Sequence, residues 1–517
     1  MDPAKTHRRR WVILALLGMS LLVVGLDSLI ISLALPSVQT DLDATVGQLQ
    51  WMIDAYTLLF GGLVMFAGGL GDRFGRRRTL LLGLTLFLAA SLGAALSSTA
   101  EMLIACRAGM GVGGALIMPS TLAIIKHVFP AEEQKRAIFI WSTIGALGTP
   151  LGPIVGGILL DRFWWGSIFW INVPVIAVIL VAAAALIPES RHEDHPGLDV
   201  VGAALSVAGF GCLIFGVIEA PEHGWGAPRT ITLLVLGAVL LVAFVTWESR
   251  ARGPMLNMSL MRVPAFGGPA AVILVQTFVM GGTVFIITQY LQFVQGHGPM
   301  EAGLRMLAIL AMVLAAPLIK LTERLGLWAG LALGLAVVAA AQLVISTAGA
   351  EDEIQILVGL GLLGLGLGLN LPTSTNSILD ATPEHQSGAG SAVVDSAAQL
   401  GTAMGIAVVG SILTTTYADS LATPPGLPDA AAEQARDSVG GAHAVAAHLG
   451  DGGARLVDAA NQAFTDGMGA ATLTGAGVAL AGAVLVLVGL SRRTPAPAVP
   501  EPPATTTAPA LDPAPDR

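Results

Sequence analysis

Three aspartates, Asp27, Asp54 and Asp395, stand inside long apolar stretches of the chain. Each stretch has about the 20 residues that a membrane-crossing helix requires. A charged side chain at the centre of a bilayer costs about 2.5–3.5 kcal/mol on insertion scales, so these groups are candidates for function. Removal from water disfavours the charged form of a carboxyl group, and each could therefore bind and release protons near neutral pH. A cationic ligand would compete with that proton, and this competition is the simplest chemistry for exchanging one for the other.

Each aspartate also has a simpler interpretation. Asp54 follows Trp51 near one end of its predicted helix, where it could be a solvated residue beside interfacial aromatic side chains. Asp27 could serve only to hydrogen-bond between helices. Asp395 lies little more than one turn inside its predicted helix, so a small shift of the boundary would expose it. Gln399 lies one turn further on, on the same face as Asp395.

Arg107 is the basic residue that lies well inside an early apolar stretch. An arginine at that depth is costly unless it is paired, and Asp27 is a plausible partner. The alternative is an arginine near the helix start whose head group reaches back to the interface. Further along the chain, Tyr290 and Gln292 lie in an apolar stretch and could line a cavity.

The composition indicates which elements hold these residues. Of the 517 residues, 54% are apolar and 12% are charged, and the mean hydropathy is +0.75. Soluble proteins carry about 25% charged residues. The chain is therefore predicted to be an all-α polytopic membrane protein with fourteen membrane-crossing helices. The apolar windows cover residues 11–35, 46–67, 79–97, 101–125, 137–159, 167–187, 198–218, 230–247, 264–291, 301–319, 327–347, 354–378, 389–415 and 468–490.

Several kinds of chemistry find no support in the sequence. The two cysteines, Cys106 and Cys212, both fall in apolar stretches, which argues against a disulfide framework or a zinc site. No G-x-x-x-x-G-K-[ST] sequence is present, so ATP hydrolysis on this chain is not expected. No spacing typical of a nucleophilic triad or a metal site stands out, and neither an enzyme nor a cofactor is predicted.

Basic residues collect in alternate predicted loops, which fixes the expected orientation by the positive-inside rule. An even number of helices places both termini on one side, the basic residues indicate that this side is the cytoplasm, and a twelve-helix arrangement would keep both ends there. The residues predicted to be cytoplasmic are Lys5, Arg8, Arg9, Arg10, Arg73, Arg76, Arg77, Arg78, Lys126, Lys135, Arg136, Arg191, Arg250, Arg252, Arg262, Lys320, Arg324, Arg492, Arg493 and Arg517. Those predicted outside are Arg162, Arg229, Arg436 and Arg455.

The predicted windows divide into two sets of six with a pair between them. The expected domains are a six-helix bundle at 1–187, a linker and two extra helices at 188–263, a second six-helix bundle at 264–491 with an external loop at 417–466, and a disordered cytoplasmic tail at 492–517. A weak echo of Gly75-Arg76-Arg77 occurs at 321–326, in the matching place of the second bundle. Facing repeats of this kind make alternating access around a cavity at the membrane midplane.

Two glycine-rich segments carry the most specific patterns. The segment 68–78, Gly-Gly-Leu-Gly-Asp-Arg-Phe-Gly-Arg-Arg-Arg, is predicted to be a cytoplasmic loop between two helices. Its aspartate could lie near a helix N-terminus or accept from an arginine, as a two-state latch requires. The segment 145–157 of the fifth window spaces its glycines by three and four, which permits close helix packing, and its prolines add a kink.

These segments resemble the motifs of the major facilitator superfamily. Segment 68–78 is similar to the loop G-x-L-x-D-R-x-G-R-R between the second and third helices of that family, and 148–157 is similar to the antiporter motif G-x-x-x-G-P-x-x-G-G. The stretches 26–36, 169–174 and 51–56 resemble the fourteen-helix drug:proton antiporters, most closely the quaternary-ammonium-compound exporters. The residues to which the resemblance assigns a conformational role are Gly68, Asp72, Arg73, Gly75, Arg76, Arg77, Gly148, Gly152, Pro153, Gly156 and Gly157. The family often has glutamine where Met110 stands, and a second acid on the helix of Asp395.

The resemblance implies a major facilitator fold and a proton-driven exporter of lipophilic compounds, with cationic ones favoured. It implies a monomer in the bacterial cytoplasmic membrane that works with protons and the lipid bilayer, needs no cofactor beyond the proton gradient, and binds no nucleic acid. The candidate proton- and substrate-binding residues are Asp27, Asp54, Arg107, Tyr290, Gln292, Asp395 and Gln399. Two rivals are a dedicated exporter of one self-made antibiotic and a proton-coupled uptake symporter.

Overall fold

The computed structural model of the protein consists of long helices joined by short connections. It describes residues 3–190, 199–251, 258–315, 318, 324–382, 387–422, 427–449 and 453–490, although some side chains within these helices lie outside the description. All regular secondary structure in these ranges is helical.

Seven helices form the first part of the chain. They are α1 (Pro3–Leu42), α2 (Val46–Phe74), α3 (Arg76–Ala95), α4 (Ala100–Val128), α5 (Ala131–Arg162), the single turn α6 (Ser167–Trp170) and α7 (Asn172–Leu186). Two long helices and one turn follow them. They are α8 (Val200–His223), α9 (Pro228–Glu248) and α10 (Met258–Met261).

The last part of the chain also consists of long helices, with three short helices among them. Its helices are α11 (Pro264–Gln289), α12 (Pro299–Met306), α13 (Leu327–Ser346), α14 (Glu353–Asp380), α15 (Ser387–Ser420), α16 (Asp429–Asp437), α17 (Val439–Ala446) and α18 (Gly453–Leu485). A π-helical turn, Tyr290–Val294, extends α11, another, Val486–Leu490, extends α18, and a 3₁₀ segment, Leu307–Ala315, extends α12.

The helices pack into two groups that face each other. In the first group α1 packs on α5, and α4 packs between α2 and α3. In the second group α11 packs on α15, and α13 packs on α14 and α18. The groups meet where α2 contacts α15, α5 contacts α12 and α1 contacts α11, and α8 contacts both α2 and α15.

The bundle has two distinct ends. The connections around residues 39–45, 96–99, 163–166, 295–298, 347–352 and 427–449 share one end, which we call the cap end because α16 and α17 lie there. Ser438 between these short helices accepts a hydrogen bond from Gln39 of α1 at 2.7 Å. The opposite end holds residues 74–78, 128–131 and 187–190 and is called the basic end, because the three consecutive arginines 76–78 begin α3 there.

Within the described ranges, eleven helical stretches are long and apolar enough to cross a membrane. The predicted windows 46–67 and 137–159 are not among them, although α2 and α5 cover both without a break. The window 301–319 contains α12 and the 3₁₀ segment, and part of its remainder lies outside the described residues. The count of fourteen crossings therefore stays a prediction.

Two predicted loops are wrong in their extent. Segment 68–78 is helical except for Gly75, whose φ of 109° lies in a region that favours glycine and ends α2 at the point where α3 begins. The predicted external loop 417–466, in which a short surface helix was expected, is shorter than predicted, since α15 runs to Ser420 and α18 begins at Gly453; two short helices lie between them. Apolarity marks where a helix crosses lipid, but hydrogen bonding continues the helix beyond that window.

The two halves echo each other at one point that the sequence predicted. Gly75 precedes α3 with a φ of 109°, and Gly326 precedes α13 with a φ of 83°. Both helices therefore start from a glycine in the same backbone region, at matching places of the two groups. The residues 321–323 of the echo lie outside the described residues.

Candidate functional site

An ion pair between Asp27 of α1 and Arg107 of α4 lies in the first group of helices. The Asp27 carboxylate contacts the Arg107 guanidinium, and both side chains have no exposed surface. Asn172, at the start of α7, donates a second hydrogen bond to Asp27 at 3.3 Å. The pairing predicted from the sequence is thus present, and the alternative of an arginine at the interface is excluded.

Arg107 is held from a second helix as well. Its Nε donates to the backbone carbonyl of Met52 in α2 at 2.8 Å. Its guanidinium lies 4.4 Å from the ring centroid of Tyr56 and 6.0 Å from that of Phe169. A guanidinium over an aromatic face gains electrostatic attraction, which is larger in a site shielded from water. One arginine therefore ties together α1, α2 and α4.

Asp54 of α2 is equally buried but differently placed. Its side chain has no exposed surface, so the alternative of a solvated interfacial residue is wrong. Neither carboxyl oxygen accepts a hydrogen bond from any described residue. A buried polar group without a partner costs free energy, and a charged one costs far more. An ionisable group of this kind in the membrane interior is a candidate for function.

Asp395 and Gln399 lie on α15 where it approaches α2. Asp395 is partly buried, and no ion pair joins it to a described residue. A Cβ built at Gly61 of α2 would lie 2.7 Å from Cβ of Gln399, so the two helices touch at this level. Ser396, between the two candidates, donates to the Gly61 carbonyl at 2.8 Å.

Tyr290 and Gln292 lie at the cap end. The Tyr290 hydroxyl donates to the carbonyl of Gly349 at 2.8 Å. Gln292 donates to the carbonyl of Leu33 in α1 at 3.0 Å and so joins the two groups of helices. Both side chains are engaged in holding the cap end, which sequence spacing did not indicate.

The glycines of α5 allow the close helix packing that their spacing predicted. A Cβ at Gly148 would lie 2.6 Å from the carbonyl oxygen of Leu22, and one at Gly156 would lie 2.8 Å from the Ile30 side chain, so both face α1. Gly152 between them is buried. Gly157 faces the other way, because its Cβ would lie 2.6 Å from Cα of Met300 in α12. The helix thus contacts both groups closely, while the Pro153 ring lies outside the described side chains.

The arginine-rich start of α3 is fastened to the segment that follows α7. The backbone N–H of Arg77 donates to the Glu189 carboxylate at 3.1 Å, and that of Arg76 donates to the Ser190 carbonyl at 2.9 Å. A carboxylate at a helix N-terminus is favoured by the helix dipole. Gly68 packs at an ordinary distance, with its Cβ position 3.7 Å from Cβ of Pro119. Arg73 is exposed in the last turn of α2. The Asp72 side chain lies outside the described residues.

Sequence reasoning missed three contributors to the site. They are Asn172 on Asp27, the Met52 carbonyl on Arg107 and Ser396 on Gly61. Only Asn172 carried a signal, because it is a polar residue at the start of an apolar window. A backbone carbonyl leaves no trace in a sequence.

The site combines a permanently charged arginine, Arg107, with a paired acid, Asp27, and an acid without a described partner, Asp54. Arg107 contacts α2 at Met52, two residues before Asp54. Arginine cannot lose its proton in a protein, so any charge change must occur on the carboxyl groups. Any uptake or release of a proton at this site would therefore involve Asp27 or Asp54. The sequence matches the Major Facilitator Superfamily over residues 17–406.

The chain is a member of the Major Facilitator Superfamily. It is 35% identical to the multidrug efflux pump LfrA of Mycolicibacterium smegmatis, over 94% of this chain and 98% of that protein. It is 32% identical to the tetracenomycin C resistance and export protein of Streptomyces glaucescens, over 94% and 93% of the two chains. It is 33% identical to the methyl viologen resistance protein SmvA of Salmonella typhimurium, over 88% and 93%.

Solved structures agree with the superfamily fold. A bacterial homologue of the human lysosomal transporter Spinster superposes with a TM-score of 0.60 at 17% identity, over 94% of this chain and 99% of that one. The resemblance in shape thus extends far beyond the resemblance in sequence. This Major Facilitator Superfamily chain is a multi-pass membrane protein and a transporter related to efflux pumps for drugs and antibiotics.

Proposed function

We propose that the chain is a proton-coupled antiporter that exports lipophilic, cationic compounds across the bacterial cytoplasmic membrane. It would act as a monomer with fourteen membrane-crossing helices, both termini in the cytoplasm and no cofactor beyond the proton gradient. The two bundles would comprise 1–187 and 264–491, with α8 and α9 inserted between them. The external loop would hold α16 and α17, and the tail after 491 would be cytoplasmic.

The observation that carries this proposal is the pair of fully buried acids beside one fixed charge. Asp27 is neutralised by Arg107, whereas Asp54 has no partner among the described residues. Water reaching either acid would change its protonation, and at Asp27 a cationic compound would compete with the proton. Methyl viologen, for which one relative is named, is an organic cation and fits this chemistry.

Hydrogen bonds at the cap end support a transport cycle of this kind. Gln39 to Ser438 and Gln292 to Leu33 join the two groups there, so those contacts must break before a compound leaves on that side. Protonation of Asp27 from outside would displace a bound cation. Loss of the proton towards the cytoplasm would restore the negative charge for the next cation. Reciprocal coupling of the two ligands is what an exchanger requires.

The test is ethidium efflux from proteoliposomes under an imposed pH gradient. The wild type is expected to move ethidium against its concentration gradient, and Asp27→Asn is expected to lose this uphill transport. Asp43→Asn is the matched control, because Asp43 is an exposed acid whose φ of 50° asparagine also adopts. Uphill transport that survives in Asp27→Asn would show that this acid does not couple the proton.

A second candidate is a dedicated exporter of one self-made antibiotic. One relative is named for resistance to, and export of, tetracenomycin C alone. A panel of cationic and neutral compounds in the same proteoliposomes separates the two. Transport of several unrelated cations supports the broad exporter, whereas transport confined to one compound supports the dedicated one.

A further inference from the structure

Helix α2 presents opposite faces to different neighbours. Its Met52 carbonyl receives Arg107, and a Cβ at Gly111 of α4 would lie 2.5 Å from the Tyr56 carbonyl oxygen, so this face packs on α4. Two residues along an α-helix turn through about 200°. Asp54, midway between Met52 and Tyr56, is therefore on the opposite side of α2. Arg107 therefore pairs with Asp27 and not with Asp54, although its Nε donates to the carbonyl of Met52, only two residues before Asp54.

The face of α2 that carries Asp54 is covered by α15. Gln50, one turn before Asp54, donates to the Ile406 carbonyl at 3.4 Å. Gly61, two turns after it, accepts from Ser396 at 2.8 Å. Residues four and seven apart lie on the same face of a helix, so Asp54 faces α15 between these two contacts.

Helix α8 closes the same face from the side. Trp51 packs edge-on against Phe215 of α8 with ring centroids 5.7 Å apart. A Cβ at Gly62 would lie 2.7 Å from the Val207 side chain. Trp51 and Gly62 stand three residues before and eight residues after Asp54, so α8 lies along this whole stretch.

The residues around this junction are apolar and buried. Leu58 of α2, Ile214 of α8, and Ala403 and Ala407 of α15 form one cluster, and none is more than 6% exposed. We call this junction the α2–α8–α15 seam. It differs from the site of the Asp27–Arg107 pair, and the close approach of α2 to α15 at Gly61 and to α8 at Gly62 favours a proton over an organic cation there.

The position of α8 in the seam is specified by a hydrogen bond. Residue 221 is proline and has no N–H, so the carbonyl of Val217 loses its partner within the helix. Ser411 of α15 donates its hydroxyl to that carbonyl. A hydroxyl from the second bundle thus satisfies a group that the proline leaves open, and α8 is docked on α15 as well as on α2.

We infer that Asp54 is a second ionisable site, separate from the drug-binding region, that takes a proton only and holds the α2–α8–α15 seam closed while it is neutral. Both its oxygens lack partners, and a carboxylate in such surroundings would be far more costly than a carboxylic acid. The charged form is accommodated only when α2 separates from α15 and water enters. The transport role of this site rests on the proposed function, whereas its link to opening does not.

No fixed charge in the described helices opposes this assignment. On α8, Cys212 is the titratable residue at the level of Asp54, and Glu219 nearer the cap end is paired with Arg229 at 3.0 Å. On α15, Asp395 lies towards the basic end, about two turns deeper than Ala403. On α4 and α1, Arg107 and Asp27 neutralise each other on the opposite side of α2. The arginines of α3, residues 76–78, lie at the basic end of the bundle.

The test measures opening of the seam without a substrate. A single cysteine, Leu58→Cys, is placed in the full chain with Cys106→Ser and Cys212→Ser, in lipid nanodiscs. The rate of alkylation by a small maleimide is followed from pH 5.5 to 8.5, with and without D54N. The ratio of the two rates at each pH cancels the reactivity of the thiol. Ala403→Cys is a second probe, and Ala339→Cys, buried in α13, is the control outside the seam.

The rate with Asp54 present is expected to exceed the D54N rate as pH rises, by up to about tenfold per pH unit. The control cysteine should show a ratio near one at every pH. Equal rates with and without D54N at both seam cysteines would overturn the inference. So would a D54N variant whose ethidium Kd rises tenfold or more, since Asp54 would then be a drug ligand. Failure of the wild type to pump ethidium would refute the proposed function alone, because the alkylation ratios need no transport.

Discussion

Removal of either partner from the Asp27–Arg107 pair should destabilise the protein in a way that differs with pH. Breaking a buried pair costs about 3–5 kcal/mol, because it leaves a charge without compensation. In Asp27→Asn the guanidinium of Arg107 keeps its charge at any accessible pH. We therefore expect a loss of about 3–5 kcal/mol that is the same at pH 5 and pH 7.

Arg107→Met leaves a carboxyl group that can neutralise itself by binding a proton. An aspartate with an ordinary pKa of about 3.9 costs roughly 4 kcal/mol to protonate at pH 7 and roughly 1.5 kcal/mol at pH 5. Because the folded variant holds a proton that the unfolded chain releases, its free energy of unfolding falls as pH rises. The penalty for Arg107→Met is therefore larger at pH 7 than at pH 5. The difference of about 2.5 kcal/mol between the two pH values is the distinctive expectation.

The assay is SDS-induced unfolding in mixed micelles, followed by tryptophan fluorescence at both pH values. The double variant Asp27→Asn with Arg107→Met should recover most of the loss, because no charge is then left buried. Asp43→Asn, an exposed acid, should shift stability by less than about 0.5 kcal/mol. A penalty for Arg107→Met that does not change with pH, or single losses that simply add in the double variant, would refute this reasoning.

Two further predictions concern packing and the cap end. Gly148→Ala should destabilise the protein by about 1–3 kcal/mol in the same unfolding assay, because a Cβ there would lie 2.6 Å from the Leu22 carbonyl oxygen. Gly68→Ala is the control and should be nearly neutral, and equal losses in both would show that α1 and α5 can move apart freely. Ser438→Ala removes the cap of α17 and the acceptor for Gln39, so it should weaken the short helices by about 1–2 kcal/mol. Hydrogen exchange over 439–446 would speed up accordingly, and unchanged exchange would contradict the role of Ser438.

The sequence predicts features that depend on one helix or on the cost of one buried charge. The need of Arg107 for a partner in the membrane interior correctly pointed to Asp27. The glycine spacing around Gly148 correctly indicated close packing, since only a residue without Cβ permits it.

Features that depend on which distant helices meet were not predictable. The periodicity of α2 places Asp54 on a face, but it does not say that α8 and α15 cover that face. The turn at Gly75 was predicted too long, because apolarity ends before helical hydrogen bonding does. The hydrogen bond from the Arg77 N–H at the start of α3 to Glu189 joins residues 112 positions apart, and no local sequence pattern predicts such a contact.

The hydroxyl of Ser411 on the Val217 carbonyl also has a consequence for biosynthesis. The two residues are 194 positions apart, so α8 leaves the ribosome well before its partner on α15 exists. At about 5–20 residues per second, that interval is roughly 10–40 s. During this time the carbonyl freed by Pro221 lacks its final donor, and α8 can rest on α2 alone. The inserted helix α8 therefore reaches its native place only after α15 of the second bundle has been synthesised.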